Sequence, residues 1–199
     1  MEFLLEINTE EMPPVHVEGA LEQMGKFLSE ELIANRLVDL KGNPGTIRTL
    51  GTCRRLIVYG DFEEKQLDKE EVFIGPPRSA AFSPDGTPAP AAVGFAKSHG
   101  VPVERLERIR TEKGEYIVVK KKEPGKPARR ILPQIVIRMI SSLSFPKMMR
   151  WGDSSFRFSR PIKNVLCLFG GRCLSFSIGD IEAGEFTTGH KIHCPERLK

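Results

Sequence analysis

Apolar residues follow strand-like runs in some stretches of the chain and helical spacing in others. Residues 3–7 form a short apolar run that predicts a buried strand. From about residue 13 to residue 36, apolar side chains recur at steps of three and four, which predicts an amphipathic helix with one buried face. The same spacing over residues 128–143 predicts a second long helix, in which Pro133 either kinks the helix or lies in its first turn.

The remaining elements are short. A hairpin is predicted around Lys113 and Gly114, and a second around Gly170 and Gly171, whose strands are residues 165–169 and 174–178. Residues 48–52 and 55–59 are predicted to form two strands or one strand with a break, and residues 185–191 a strand that runs into a turn. A short helix is predicted at 91–98, turns or loops at 42–45 and 83–90, and either a loop or a strand edge at 61–71. Strands and helices therefore mix without regular alternation, which predicts an α+β fold with a mixed or antiparallel sheet and packed helices.

The order of elements allows two subdomains. We expect residues 1–75 to form an α/β subdomain whose strands are joined by those of residues 160–199. Residues 76–150 are predicted to be a helix-rich insert, and residues 151–199 a basic loop and a hairpin.

Composition restricts the class of protein. Apolar residues make up 40% and charged residues 28%, and no run of eighteen apolar residues is present, so we expect no membrane span. Acidic residues near the N-terminus are unlike a signal peptide, which leaves the cytoplasm as the expected location. The four cysteines form no Cys-x-x-Cys pair, and His190, His193 and Cys194 lack a second ligand pair, so no metal site is predicted.

Charge is distributed unevenly. Residues 1–75 carry a net charge of −7 and residues 76–199 a net charge of +11, within a total of +4. Residues 121–163 alone hold eleven Lys and Arg against two acids. This asymmetry predicts that the later part of the chain faces a polyanion.

Cations and aromatic residues alternate between residues 145 and 163, around the single Trp of the chain. Such a pattern suits RNA, because cations neutralise phosphates and aromatic rings stack on exposed bases. The candidate phosphate contacts are Lys147, Arg150, Arg157, Arg160 and Lys163. Trp151 either stacks on a base or belongs to the protein core.

A second group of candidates lies outside this segment. Arg54 and Arg55 either bind phosphate or pair with the acids of the first 75 residues, and His190 and Lys191 complete the group. No phosphate loop, dinucleotide-binding glycine motif, zinc-protease motif or nucleophile elbow is present. The residues alone thus predict a binding module without a catalytic site.

Seven short motifs in order resemble the β subunit of bacterial glycyl-tRNA synthetase, the α2β2 type. They are residues 4–14 (LLEINTEEMPP), 52–56 (TCRRL), 94–97 (GFAK), 113–116 (KGEY), 146–152 (PKMMRWG), 158–162 (FSRPI) and 188–191 (TGHK). The chain departs from the family pattern at Asn8, Cys53, Asn164 and Lys191, where the family often has Gly, Pro, a nearby Trp and Arg. None of these departures removes a cation of the central segment.

The resemblance implies a division of labour. In this family the α subunit activates glycine with ATP and magnesium, and the β subunit, which is much longer than this chain, supplies tRNA recognition. We therefore expect an N-terminal module that binds glycine tRNA, partners the α subunit and the rest of β, contacts no DNA, holds no cofactor and has no ligase activity alone. Residues 151–199 would complete the tRNA-binding region. The alternatives are an assembly domain without RNA contact and an editing-type hydrolase near His190 and His193.

Overall fold

The computed structural model describes residues 1–38, 47–83, 85–112, 114–151, 155–189, 193–194 and 196–198. The chain forms two compact units, of which the first combines Met1–Leu67 with Lys126–Lys199 and the second is Asp68–Gly125. The predicted turn at residues 42–45 lies outside the described residues.

The first unit begins with a strand, a long helix and a hairpin, namely β1 (Glu2–Thr9), α1 (Pro14–Ala34), β2 (Arg48–Thr52) and β3 (Arg55–Asp61). The second unit holds β4 (Lys69–Pro77), α2 (Arg78–Ala81), α3 (Pro90–Ser98), a 3₁₀ turn (Val103–Arg105), β5 (Glu107–Thr111) and β6 (Gly114–Glu123).

The first unit then resumes with α4 and the remaining strands. These are α4 (Ala128–Ser142), β7 (Met149–Arg150), β8 (Arg157–Phe158), β9 (Ile162–Phe169), β10 (Arg172–Cys173), β11 (Ser177–Ile178), β12 (Ile181–Gly184), β13 (Thr187–Thr188) and β14 (Arg197–Leu198). None of the described helices is long and apolar enough to cross a membrane.

A seven-stranded mixed sheet forms the frame of the first unit. Its strand order is β11-β12-β9-β1-β3-β2, with β10 added beside β9. β1 pairs antiparallel with both β3 and β9, whereas β12 runs parallel to β9. The predicted α+β class with a mixed sheet is confirmed.

One face of this sheet packs against both long helices. Along β1, Phe3, Leu5 and Ile7 are buried at alternate positions, as expected for one face of a strand. Their core also contains Leu28 of α1 and Ile135 of α4, so the two helices share one core with the sheet. Pro14 begins α1, where its missing N–H leaves no unsatisfied donor. Pro133 lies in the second turn of α4 rather than the first.

The second unit is built on the three-stranded sheet β4-β6-β5. Ala81, Ala92 and Ile117 form its small core, beneath α2 and α3. The prediction that α4 belongs to a helix-rich insert of residues 76–150 is wrong, because the buried face of α4 lies in the core of the first unit. The main element of residues 68–125 is therefore a sheet, and β4 begins at Lys69, within the stretch that was predicted as either a loop or a strand edge.

The second predicted hairpin is only partly correct. Gly170 and Gly171 form the expected turn, with φ values of 56° and 68° that suit glycine. However, the returning strand pairs with β9 only at Arg172 and Cys173. The reason is that β12 pairs with β9 at Val165 and Leu166, so this edge of β9 is already occupied.

Candidate nucleic-acid interface

The central basic segment forms a short antiparallel pair. Met149 of β7 lies opposite Phe158 of β8, and Arg150 lies opposite Arg157. Phe158 is fully buried, whereas both arginines are exposed, because neighbouring residues of a strand point to opposite faces.

A row of rings anchors this pair of strands to the core. Trp151 contacts Phe156 edge-on with ring centroids 5.8 Å apart, and Phe156 stacks on Phe158 at 6.1 Å. Phe158 in turn meets Phe145 edge-on at 4.8 Å. Trp151 is half-buried and packs against the core, so it combines a structural contact with partial exposure.

The row ends in a buried polar contact that sequence analysis missed. His16 of α1 lies 5.7 Å from the Phe145 ring, and its Nδ1 is 2.6 Å from the Ser159 hydroxyl oxygen. Both residues are buried, so this bond joins α1 to the residue that follows β8. No sequence signal connects two residues this far apart in the chain.

Three motifs that carry the family resemblance lie side by side at one end of the sheet. The Thr9 N–H donates to the Arg54 carbonyl at 2.9 Å, and the Met12 N–H donates to the Cys53 carbonyl at 2.6 Å. The Glu10 N–H donates to the Pro161 carbonyl at 2.9 Å. Residues 9–12 therefore bridge the β2–β3 turn and the segment that precedes β9.

This arrangement brings acids next to two predicted cations. Arg54 Nη2 lies 2.8 Å from Glu11 Oε2, and Lys163 Nζ lies 2.9 Å from Glu10 Oε1. The hydrogen bond that Arg54 donates to the Glu11 carboxylate, supported by the negative charge of that carboxylate, raises the pKa of Arg54. Of the two interpretations of Arg54 and Arg55, the structure shows the pairing with acids.

Arg55 takes part in a more buried network. Its Nη1 lies 3.6 Å from Oε2 of Glu6, which is buried, and its Nη2 donates to the Thr188 carbonyl at 2.5 Å. Glu6 also accepts a hydrogen bond from the Thr187 hydroxyl, and Asn8 Nδ2 donates to the Thr188 hydroxyl at 3.0 Å. Polar residues at alternate positions of an otherwise apolar strand were the available signal for this network, which holds β13 against the sheet.

Arg160 bonds to backbone rather than to a carboxylate. Its Nε donates to the Glu11 carbonyl at 3.2 Å, and its Nη1 donates to its neighbour's carbonyl, that of Ser159, at 3.0 Å. The guanidinium group therefore helps to hold the acidic segment next to β8.

Lys147, Arg150 and Arg157 differ from the other predicted cations. All three are exposed, and within the part of the chain that the structure describes none of them forms an ion pair. His190 and Lys191 lie outside the described residues. The same range contains no group of three metal-ligating side chains.

Residues 3–199 match the family described as glycyl-tRNA synthetase beta subunit. The chain belongs to this family. It is 41% identical over 196 residues to the glycine–tRNA ligase beta subunit of Syntrophus aciditrophicus. The aligned region covers 98% of this chain and 28% of that protein. The corresponding subunit of Geobacter sulfurreducens is 39% identical over 192 residues, and that of Moorella thermoacetica is 40% identical over 195 residues.

Family membership confirms the resemblance drawn from the seven motifs. The relatives are subunits of glycine–tRNA ligase, an aminoacyl-tRNA synthetase. The chain spans a little more than a quarter of the length of these relatives, at 27–28%.

Proposed function

We propose that the chain is the N-terminal, tRNA-binding module of a glycine–tRNA ligase β subunit. In this proposal it works in the cytoplasm with the α subunit and the remainder of β, and it supports the charging of glycine tRNA. The α subunit uses ATP and magnesium to activate glycine, whereas these 199 residues bind no cofactor and have no ligase activity alone.

The cross-strand pair of Arg150 and Arg157 is the observation that carries this proposal. Like charges placed directly opposite each other destabilise a strand pair. Neither arginine has a carboxylate partner among the described residues, so a bound anion would relieve this repulsion. A guanidinium group also presents paired N–H donors that match the oxygens of a phosphate.

Trp151 supports RNA rather than a small anion as the ligand. It lies next to Arg150 in sequence, is half-buried, and is oriented by its edge contact with Phe156. A partly exposed ring beside exposed cations can stack on an unpaired base while the cations bind the backbone. Lys147, four residues before Trp151, adds a third exposed cation to this surface.

The cations that already have a partner within the protein are assigned a smaller part in RNA binding. Arg54 and Lys163 are half-exposed, so their carboxylates can exchange for phosphates when RNA is bound. Arg55 and Arg160 mainly hold the protein segments that present the surface. His190 and Lys191 remain predicted contacts.

Titration of labelled glycine tRNA at several salt concentrations tests the proposal. Each phosphate contact contributes about 0.7–0.9 to the slope of log K against log salt. The double variant R150Q/R157Q should therefore lower this slope by about 1.5. Its melting temperature should not fall, because the substitutions remove the repulsion between the two opposite arginines. The control K97Q/R105Q removes two exposed charges elsewhere and should leave the slope nearly unchanged. Equal slopes for both variants would contradict the assignment.

An assembly role without RNA contact is the second candidate. The specific observation in its favour is that Arg54, Arg55 and Lys163 already have carboxylate partners. On this alternative the chain binds no tRNA even at low salt, whereas the first candidate requires salt-sensitive binding. Substitution of Arg160 should lower stability on both candidates, because its guanidinium bonds to the Glu11 and Ser159 carbonyls. A tRNA binding curve of the unaltered chain at low salt therefore distinguishes the two candidates.

A further inference from the structure

The second unit contains a cavity of about 450 Å³. Its lining includes none of the cations that the proposed function assigns to RNA. Its wall includes polar and aromatic side chains from β5, β6, α2 and the loop after α2: Arg78, Ser79, Phe82, Ser83, Arg108 and Glu115. Glu115 belongs to the KGEY motif, for which the proposed function gives no role.

The strand register explains why Arg108 and Glu115 lie on the same face of the sheet. Arg108 of β5 lies opposite Ile117 of β6, and Glu115 is two residues from Ile117 on the same face. Ile117 is buried beneath α2 and α3, so this is the face of the sheet that the helices cover. Arg108 and Glu115 therefore point to the helix side, at the end where α2 begins.

The cavity has an excess of positive charge. Arg78 Nη1 lies 3.2 Å from Glu115 Oε2, so that carboxylate is paired. Arg108 has no ion pair with any residue that the structure describes. The wall therefore holds two guanidinium groups and one carboxylate, which gives a net charge of +1.

Hydroxyl groups and a ring complete the wall. Ser79 and Ser83 are exposed, and within the described ranges their hydroxyls make no hydrogen bond. Phe82 is half-buried against the small core and provides a flat apolar surface. These are the groups that hold a phosphate and the body attached to it.

The loop that carries Ser83 is held by its own backbone. The Ser83 N–H donates to the Thr87 carbonyl at 3.0 Å, and the Gly86 N–H donates to the Ser83 carbonyl at 2.9 Å. At the base of the loop, Phe82 and Pro88 form an isolated bridge. Gly86 has a φ of 87°, which favours glycine at this turn. These contacts hold the backbone of Ser83 and Gly86 in place without a ligand.

We propose that this cavity binds a phosphate ester, with Arg108 as its main cation and the two serine hydroxyls as donors. The ester is either a free nucleotide or a phosphodiester of RNA, which share this chemistry. The RNA source rests on the proposed function, whereas the nucleotide source does not.

Calorimetric titration of the whole chain with AMP, inorganic phosphate and adenosine tests the cavity. AMP should bind more tightly than phosphate because its base can lie on Phe82, and uncharged adenosine should bind least. R108Q should weaken AMP binding about tenfold. R108K keeps the charge but loses the fork of donors, so it should recover part of the affinity. R105Q is the matched control in the same unit, outside the cavity wall.

Substitution of Glu115 separates a binding role from a structural one. E115Q frees Arg78 from its carboxylate, so AMP should bind more tightly than to the unaltered chain. A structural ion pair predicts the opposite, because its loss lowers stability without raising affinity. Unmeasurable binding of both AMP and phosphate at millimolar concentration, together with an unaltered tRNA salt slope in R108Q, would overturn the proposal.

The test of the cavity can be separated from the test of the surface formed by β7 and β8. If R150Q/R157Q lowers the tRNA salt slope but leaves AMP affinity unchanged, both sites stand. If no tRNA binds at any salt while R108Q still loses AMP, the cavity is a nucleotide site and only the RNA proposal fails. If R108Q lowers the slope of log K against log salt for tRNA by about 0.7–0.9, the value for one phosphate contact, the phosphodiester of RNA is the ligand.

Discussion

The guanidinium of Arg54 and the carboxylate of Glu11 lie 2.8 Å apart, at the end of the sheet where residues 9–12 cross the β2–β3 turn. Lys163 and Glu10 form a second pair at 2.9 Å in the same segment. Two acids therefore neutralise cations that belong to the predicted RNA-binding set. Arg150 and Arg157, by contrast, have no such partner among the described residues.

Removal of these acids should strengthen RNA binding. In E10Q/E11Q, Arg54 and Lys163 no longer have to leave a carboxylate before they contact a phosphate. We expect tighter binding of glycine tRNA at low salt and a salt slope that is steeper by up to about 1.5. Titrations at four or more salt concentrations provide the measurement.

The control for this experiment removes the same charge elsewhere. Glu22 and Glu30 are exposed on α1 and form no ion pair within the described part of the chain. E22Q/E30Q should therefore raise the affinity for glycine tRNA only slightly, because the net charge of the chain becomes more positive. Equal increases for both double variants would show that net charge alone acts, and that the ion pairs do not compete with RNA.

Neighbouring arginines Arg54 and Arg55 should respond differently to substitution. R55Q leaves the buried carboxylate of Glu6 without its cation, and it also removes the bond to the Thr188 carbonyl. Loss of one partner of such a pair should lower the free energy of unfolding by roughly 2–4 kcal/mol. Urea unfolding followed by circular dichroism measures this change.

R54Q is the matched comparison, because it removes the same charge at an exposed position. We expect the midpoint of its urea transition to stay close to that of the unaltered chain. If the two variants unfold at the same urea concentration, Arg55 has no structural role, and its bonds to β13 contribute little.

Local periodicity predicted most of the fold. The apolar spacing of α1 and α4 and the strand at residues 3–7 appear in the structure at nearly the expected bounds, because each signal lies within one element. The failures concern competition between distant segments. Nothing near Leu174 indicates that β12 takes the edge of β9, and nothing in the sequence of α4 indicates which unit it joins.

The candidate site shows the same limit. Clustered cations between residues 145 and 163 were visible in the sequence, but their partners were not. Glu10 lies far from Lys163 in the chain, and only the pairing of β1 with β9 brings the two together. The difference between paired and unpaired cations is therefore a tertiary property.

The bond between His16 and Ser159 should contribute measurably to stability. S159A leaves a buried ring nitrogen of His16 without its partner, which costs about 1–3 kcal/mol. Since Ser159 follows β8 directly, we also expect weaker tRNA binding from a less fixed Arg157. S155A removes a hydroxyl from an exposed position of the same segment and serves as the control. Identical urea transitions for S159A and S155A would contradict the structural role of this bond.

The cysteines should differ sharply in reactivity and in their effect on stability at high pH. Cys53 is exposed, whereas Cys167 of β9 is fully buried, and burial raises the pKa of its thiol. A thiol reagent at about pH 8 should modify Cys53 rapidly and Cys167 only after unfolding. Mass analysis of the modified chain, with and without urea, identifies the residues.

The direction of the pH effect follows from the raised pKa of Cys167. The unfolded thiol ionises near its ordinary pKa of about 8.5 while the folded thiol stays protonated. This group therefore contributes stability that is complete below about pH 8.5 and declines as the pH rises above that value toward the folded-state pKa. C167A should lower the free energy of unfolding by about 1 kcal/mol at pH 7, since it removes buried volume. Between pH 8 and pH 10, its stability should fall less than that of the unaltered chain, and an equal fall in both would show that Cys167 ionises as readily in the folded state.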